Sequence, residues 1–196
     1  SIEGVAAAKA EIIAGLRPDG TAILNADDAR AAAMAELAPA RVLTFSSQGR
    51  AADLRTENVV LDAAARAAFD LHLPGLDEPR RVQLSVAGAH NVANALAAAG
   101  LALAAGLAPE LIAERLGSVR IESPHRMDVL ELSGDLLLID DSYNANIDSM
   151  TAALAALPAL AGSRRRVVVV SEMLELGESS AADHARTGEL AAEAGA

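Results

Sequence analysis

Residues 136–150, LLLIDDSYNANIDSM, hold an apolar strand run, two aspartates where it ends, a short polar turn, and Asp148 and Ser149 opening a new helical pattern. In an open α/β sheet, ligands sit beyond the carboxyl ends of the strands, so carboxylates and amides placed directly after a strand face the binding crevice. This order predicts an α/β fold with a nucleotide site. Asp140 ends the strand and Asp141 enters the crevice, where its carboxylate can accept both ribose hydroxyls, while Tyr143, Asn144 and Asn146 add donors. The same letters also describe a plain turn, because asparagine tolerates left-handed backbone and Asp148 is a good helix N-cap.

Working outward, residues 127–132, the turn SGD, residues 136–140, a helix at 149–160, the basic turn SRRR and an apolar run at 166–170 read as a β-β-α-β series. A final helix follows from about Ala181. Before the series, the stretch SVRIESPH at 118–125 breaks the pattern and places a boundary between a unit at 1–118 and one at 119–196. The first unit reads as helix 2–16, the turn RPDG, strand 21–24, helix 28–37 and strand 41–45. Strands 54–61, 66–73 and 81–87 then precede helices 88–105 and 109–117.

Composition narrows the function classes. At 196 residues and 52% hydrophobic, the chain is long and apolar enough for a packed core. Its longest apolar stretch, near 95–108, is shorter than the about 20 residues a membrane span needs, and no secretory signal is visible. The absence of cysteine removes disulfides and thiolate metal sites and suits a reducing cytoplasm. A formal charge of −11 argues against nonspecific binding to nucleic acid, which depends on Lys and Arg neutralising phosphates. Phe45, Phe69 and Tyr143 alone cannot build a platform for stacked bases. Ser1 stands at the start of one helical pattern and residues 189–196 stop inside another, so the chain reads as a fragment of a longer protein.

Several residues outside the opening stretch have the right chemistry for a site. Lys9, the only lysine, lies at helical spacing among Ile2, Val5, Ile12, Ile13 and Leu16. Desolvated there, it would be nucleophilic and open to carbamylation; snorkelling is the other reading. Gly88, His90, Asn91 and Asn94 occupy a strand-to-helix transition, and the two asparagines share a helix edge. An amide can donate to one adenine edge atom and accept from another, although His90 and Asn91 also suit a helix cap. Arg126 starts a strand just after the boundary, where its planar fork of donors can reach phosphates. Asn25, Asp27 and Asp28 repeat the strand-turn-helix order, with Asp27 as a possible cap for helix 28–37. Glu172, Glu175 and Glu178 show no metal-ligand spacing, and Met173 and Leu174 are expected to pack.

Taken in order, AKAEI, ILNADD, GAHNVANALAAAGLA, HRMDV, IDDSYNAN-DSM and EMLELGE resemble the ATP-dependent Mur ligases of peptidoglycan synthesis. The likeness is greatest to the members that join D-alanyl-D-alanine to a UDP-N-acetylmuramoyl tripeptide, and it runs from Lys9 to Glu178. It implies that 1–118 is the later part of a central ATPase domain and 119–196 the first part of a Rossmann-like C-terminal domain. No GxxxxGK[ST] run occurs in the chain, and the resemblance places that phosphate loop, further magnesium ligands and a UDP-binding domain upstream.

The resemblance also assigns roles. Lys9 matches a lysine carbamylated to bind Mg2+, and Asn91 matches an adenine contact, with Asn94 and His90 beside it. Arg126 matches an arginine that approaches ATP across an interdomain cleft. Asp141 matches the ribose-binding aspartate, with Tyr143 and Asn144 nearby. Asn25 and Asp28 fit the pattern without an assigned role. Relatives carry proline where Ile147 stands and glycine where Ser171 stands, which loosens the backbone beside the ribose site and crowds a close approach. The expected enzyme is a cytoplasmic monomer that works through an acyl phosphate. A folylpolyglutamate-type ligase and a noncatalytic nucleotide-binding module are the rival readings.

Overall fold

The computed structural model describes residues 1–120 and 125–196. They fall into two compact units. One comprises Ser1–Val60, Ala67–Ser85 and His90–Val119; the other comprises Leu61–Arg66, Val86–Ala89 and Arg120–Ala196.

Five strands, β1 (Thr21–Asn25), β2 (Arg41–Ser46), β3 (Leu54–Leu61), β4 (Arg66–His72) and β5 (Arg80–Ala87), form one sheet in sequential order. β1 and β2 run parallel, with Thr21 opposite Arg41 and Asn25 opposite Phe45, and β2 continues in parallel to β3 through Phe45 and Leu54. Alternation decides which side is buried: Ala22 and Leu24 point inward from β1, and Leu43 and Phe45 from β2. Leu54, Phe69 and Leu71 are completely buried. Helix α3 (Asn91–Ala104) covers these strands with Val92, Ala95, Leu96, Ala99 and Gly100. Small residues let the helix come close, and a Cβ at Gly100 would lie 2.6 Å from Ile23 Cγ2.

The turn after β1 is held by a buried carboxylate. Asp27, with 4% of its side chain exposed, accepts from Ser46 Oγ at 2.6 Å, Ser47 N at 2.8 Å and Ser47 Oγ at 3.2 Å. The helix cap is its neighbour: Asp28 accepts from Arg30 N and Ala31 N, and these backbone bonds lower its pKa. The expectation that Asp27 caps this helix is thus corrected by one position, and the helix itself divides into α2 (Ala29–Ala33) and a 3-10 turn at Met34–Leu37. Asp27→Ala leaves Ser46 Oγ and Ser47 N without their charged acceptor. Thermal or urea unfolding should show a loss of about 2–4 kcal/mol.

In the second unit, β6 (Asp128–Leu132) and β7 (Leu136–Asp140) form an antiparallel hairpin with Asp128 opposite Asp140. Gly134 and Asp135, both at positive φ, turn the chain, and Arg164 grips Asp135 at 2.7 Å. α5 (Ile147–Ala161) packs on α6 (Ser180–Glu193). The α5 cap is Asn146 rather than Asp148, with Asn146 and Ser149 forming a reciprocal capping box. Ile147 is therefore the first helical residue, a position where proline is also favoured.

The apolar run at 166–170 is not a strand. β-branched residues make a strand only where their N–H and C=O groups find a ladder, and none flanks this run among the described residues. Val167, Val169 and Val170 stay exposed. Helix α1 (Ile2–Ala14) gives a second correction, because it buries no residue and leaves Ile2, Val5 and Ile12 exposed. Among the described residues, no helix is long and apolar enough to cross a membrane.

Candidate functional site

The end of β7 and the segment before β6 are laced together by their carboxylates. Asp140 accepts from Ser142 N at 3.1 Å and Ser142 Oγ at 2.7 Å through one oxygen, and meets His125 Nδ1 at 2.7 Å with the other. Asp141 Oδ1 accepts from Met127 N at 3.0 Å; among the described residues its second oxygen has no partner. Tyr143 N donates to His125 O, and His125 N donates to Asp128 Oδ2. His125 and Met127 hold positive φ values of 63° and 52°, backbone that side chains other than glycine adopt only where contacts enforce it.

That turn places Arg126 outward. Its guanidinium carbon lies 4.1 Å from the Tyr143 ring centroid, a cation–π stack on a ring that is itself 61% exposed. No carboxylate pairs with Arg126 among the described residues, although the chain carries 27 acidic groups. A planar cation held by a ring and free along its edge can take an anionic oxygen. Asn144 is used locally, accepting from Ala145 N.

Charge follows geometry here. The hydrogen bond from His125 pulls the Asp140 carboxyl down to about 2, and the Ser142 donors act in the same direction. The same contact raises His125 above its ordinary value.

In the first unit, the β5–α3 transition presents the amide pair. Asn91 is buried to 8% exposure, and Asn94 Nδ2 donates to Asn91 Oδ1 at 3.0 Å. Their mutual bond fixes the orientation of both amides on one helix edge. His90 stands at the N-cap position of α3, as the cap reading expects, without a side-chain capping bond, and Asn91 is the first helical residue.

The Mur ligase middle domain model matches residues 1–102, and that of the Mur ligase glutamate ligase domain matches residues 125–196. The chain belongs to the Mur ligase family. A UDP-N-acetylmuramoyl-tripeptide–D-alanyl-D-alanine ligase of Mycobacterium tuberculosis H37Rv is 43% identical over 195 residues, covering 97% of this chain and 38% of the relative. The ligase of that name in Escherichia coli K12 is 39% identical over 198 residues, covering 100% and 42%. The crystal structure of MurF from Acinetobacter baumannii superposes with a TM-score of 0.85 at 34% identity, covering 98% of this chain and 41% of that one. The chain thus spans roughly two fifths of the length of these relatives.

The other sequence-predicted positions of this Mur ligase chain divide clearly. Lys9 lies on the exposed side of α1, so the apolar stripe around it does not desolvate it. The half-buried line of the helix is instead Ala6, Ala10 and Ile13. Asn25 accepts from Asp27 N and Asp28 caps α2, which gives both a local structural role. In the loop after the valine run, Met173 is buried as expected, while Leu174 is 72% exposed. Met173 N donates to His184 Nε2 at 2.9 Å while His184 Nδ1 donates to Ser180 O at 2.7 Å, tying the loop to α6. Ser171 is exposed.

The sequence places Asp140 at the strand end and assigns His125 no role; their pairing, beside a left-handed turn, is not foreseen there. A signal existed in the aspartate doublet: a ribose needs one carboxylate, and the second calls for a local partner. A separate cavity of about 180 Å3, lined in part by Asp53, Arg55, His72 and Glu78, is smaller than the about 300 Å3 at which ligand pockets usually begin.

Proposed function

We propose that this chain supplies adenine-nucleotide contacts to an ATP-dependent ligase that joins D-alanyl-D-alanine to a UDP-N-acetylmuramoyl tripeptide. Residues 1–118 serve as the later part of its central ATP-binding domain and 119–196 as the first part of its C-terminal domain. The observation that carries the reading is the Asp141 carboxylate, one oxygen of which has no partner among the described residues, together with Arg126 stacked on Tyr143 and paired with no carboxylate among those residues, in a chain 43% identical to a ligase of that name.

Within this reading, Asn91 and Asn94 offer a pre-oriented donor and acceptor to adenine, with His90 alongside. Asp141 accepts the ribose hydroxyls, Tyr143 and Asn144 flank it, and Arg126 offsets phosphate charge. The substrate's terminal carboxylate takes the γ-phosphoryl group of ATP, releasing ADP. The dipeptide amine then attacks that acyl phosphate, loses a proton and expels inorganic phosphate. Such chemistry depends on positioning and charge neutralisation.

Magnesium, bound with the phosphates, would neutralise their charge. Among the described residues no three His, Asp or Glu side chains gather to hold a metal ion. The ligand proposed for this chain is Lys9 as its carbamate. The cytoplasm, where ATP and UDP-linked precursors are available, is the proposed compartment, and a monomer the proposed state.

The test is acceptor choice by the complete ligase polypeptide. Phosphate release with UDP-N-acetylmuramoyl tripeptide should require D-alanyl-D-alanine. Turnover with single amino acids instead, or with a folate and glutamate, would overturn the assignment.

A further inference from the structure

We propose that His125 and Asp140 are positioning residues whose hydrogen bond clasps the 125–128 turn to the 140–143 turn and thereby presents Arg126 and Asp141 to the nucleotide. The inference rests on the nucleotide reading above, and it assigns work to two side chains that make no nucleotide contact themselves.

Four bonds join the two turns and their immediate flanks. The imidazole reaches Asp140 at 2.7 Å, Tyr143 N donates to His125 O at 3.0 Å, Met127 N donates to Asp141 Oδ1 at 3.0 Å, and Arg126 stacks on Tyr143 at 4.1 Å. The last two fix the residues that would meet ribose and phosphate. Both depend on the backbone running through positive φ at His125 and again at Met127, conformations that cost free energy without compensating contacts. Of the four, the His125–Asp140 bond joins an imidazole to a carboxylate, so it is the one whose strength follows the charge on a histidine near neutral pH.

The groups facing the imidazole are Asp140 from the end of β7 and Asp128 from the start of β6, with Arg126 and Asp141 adjacent in sequence to the pair. Asp140, depressed to about 2, contributes above the ordinary carboxylate value of 3.8 and is lost as pH falls through about 2. His125, raised, contributes fully below its ordinary value of 6.5 and is lost as pH rises through its higher folded value. The clasp is complete between those ordinary values and loosens in alkali.

The experiment measures ADP affinity of the complete ligase by calorimetry from pH 6 to pH 9, with the His125 imidazole followed by NMR in the same samples. For the native protein, affinity should fall as His125 deprotonates. His125→Ala and Asp140→Asn should weaken ADP about tenfold at pH 6 and flatten the pH dependence, an effect of the size expected for lost second-layer support. His125→Asn, whose Nδ2 can donate from the place of Nδ1 but does not titrate, should bind nearly as well as the native protein at pH 6 and stay flat with pH. A retained amide NMR spectrum confirms that each variant is folded.

If Arg126→Ala and Asp141→Asn weaken ADP while folded His125→Ala and Asp140→Asn do not, the clasp is structural only and the proposal falls, leaving the nucleotide reading intact. If Arg126→Ala and Asp141→Asn leave ADP affinity unchanged, the nucleotide reading fails and takes this proposal with it.

Discussion

Replacing Lys9 with alanine in the complete ligase is expected to lower ligation by about 10²–10³-fold, the size of losing one well-placed charge-stabilising group. The fold predicts that this loss is purely chemical. α1 buries no residue, and Ile2, Val5 and Ile12 on the same outer stripe are exposed, so truncating Lys9 removes no packing. Thermal unfolding of the variant should superimpose on that of the native protein. If a carbamate is the active form, acetate or formate should restore part of the activity to Lys9→Ala by supplying the missing oxygens, while Lys9→Arg, which does not carbamylate, stays inactive. Full activity in Lys9→Ala without any additive would remove this residue from the mechanism.

Arg126→Ala should cost a similar about 10²–10³-fold in turnover, together with a raised KM for ATP and an unchanged KM for D-alanyl-D-alanine. The side chain is exposed and unpaired among the described residues, so folding does not depend on it. Lysine at this position should recover little. An ammonium keeps the charge but loses the planar face that stacks on Tyr143 and the fork that binds two oxygens at once. Tyr143→Leu gives the intermediate case, with the guanidinium present but unsupported. Equal losses for Arg126→Lys and Arg126→Ala support the stacked, bidentate role; full activity of Arg126→Lys would reduce it to simple charge.

Much of the architecture was legible because local signals and packing agree. The strands read at 21–24, 41–45 and 136–140 agree with the observed ends within one residue, and the helix after His90 lies where its pattern puts it. The failures have a common cause, since each concerns a segment whose local pattern needs a partner. RVVVV at 166–170 has strong β propensity, yet propensity does not supply a neighbouring ladder. The α1 stripe has helical spacing, yet spacing does not say which face is covered, and Ala6, Ala10 and Ile13 are the half-buried residues. Met173 and Leu174 are adjacent and similar in hydrophobicity, yet Met173, whose N–H donates to His184, is buried while Leu174 is exposed.

The candidate site follows the same logic. Asn91 with Asn94, three apart at a helix start, and Asp141 with Tyr143, just past a strand end, were singled out by their spacing; the stacking of Arg126 on Tyr143, which joins separate segments, was not. Asp27 was misread because two adjacent aspartates at a helix start are chemically equivalent in sequence. Only the hydroxyls of Ser46 and Ser47, some twenty positions away, separate the buried carboxylate from the cap. The pairing of His125 with Asp140 was invisible because it involves a left-handed turn that no periodicity announces.

The proposed nucleotide role of the second unit rests on the β7-end carboxylate Asp141 with Arg126 and Tyr143. Photolabelling the complete ligase with azido-ADP, followed by peptide mapping, tests it most directly. Label should fall on the peptide containing residues 141–144 and be displaced by ATP; ATP-displaceable label confined to other peptides, such as those around the 53–79 cavity, would contradict it.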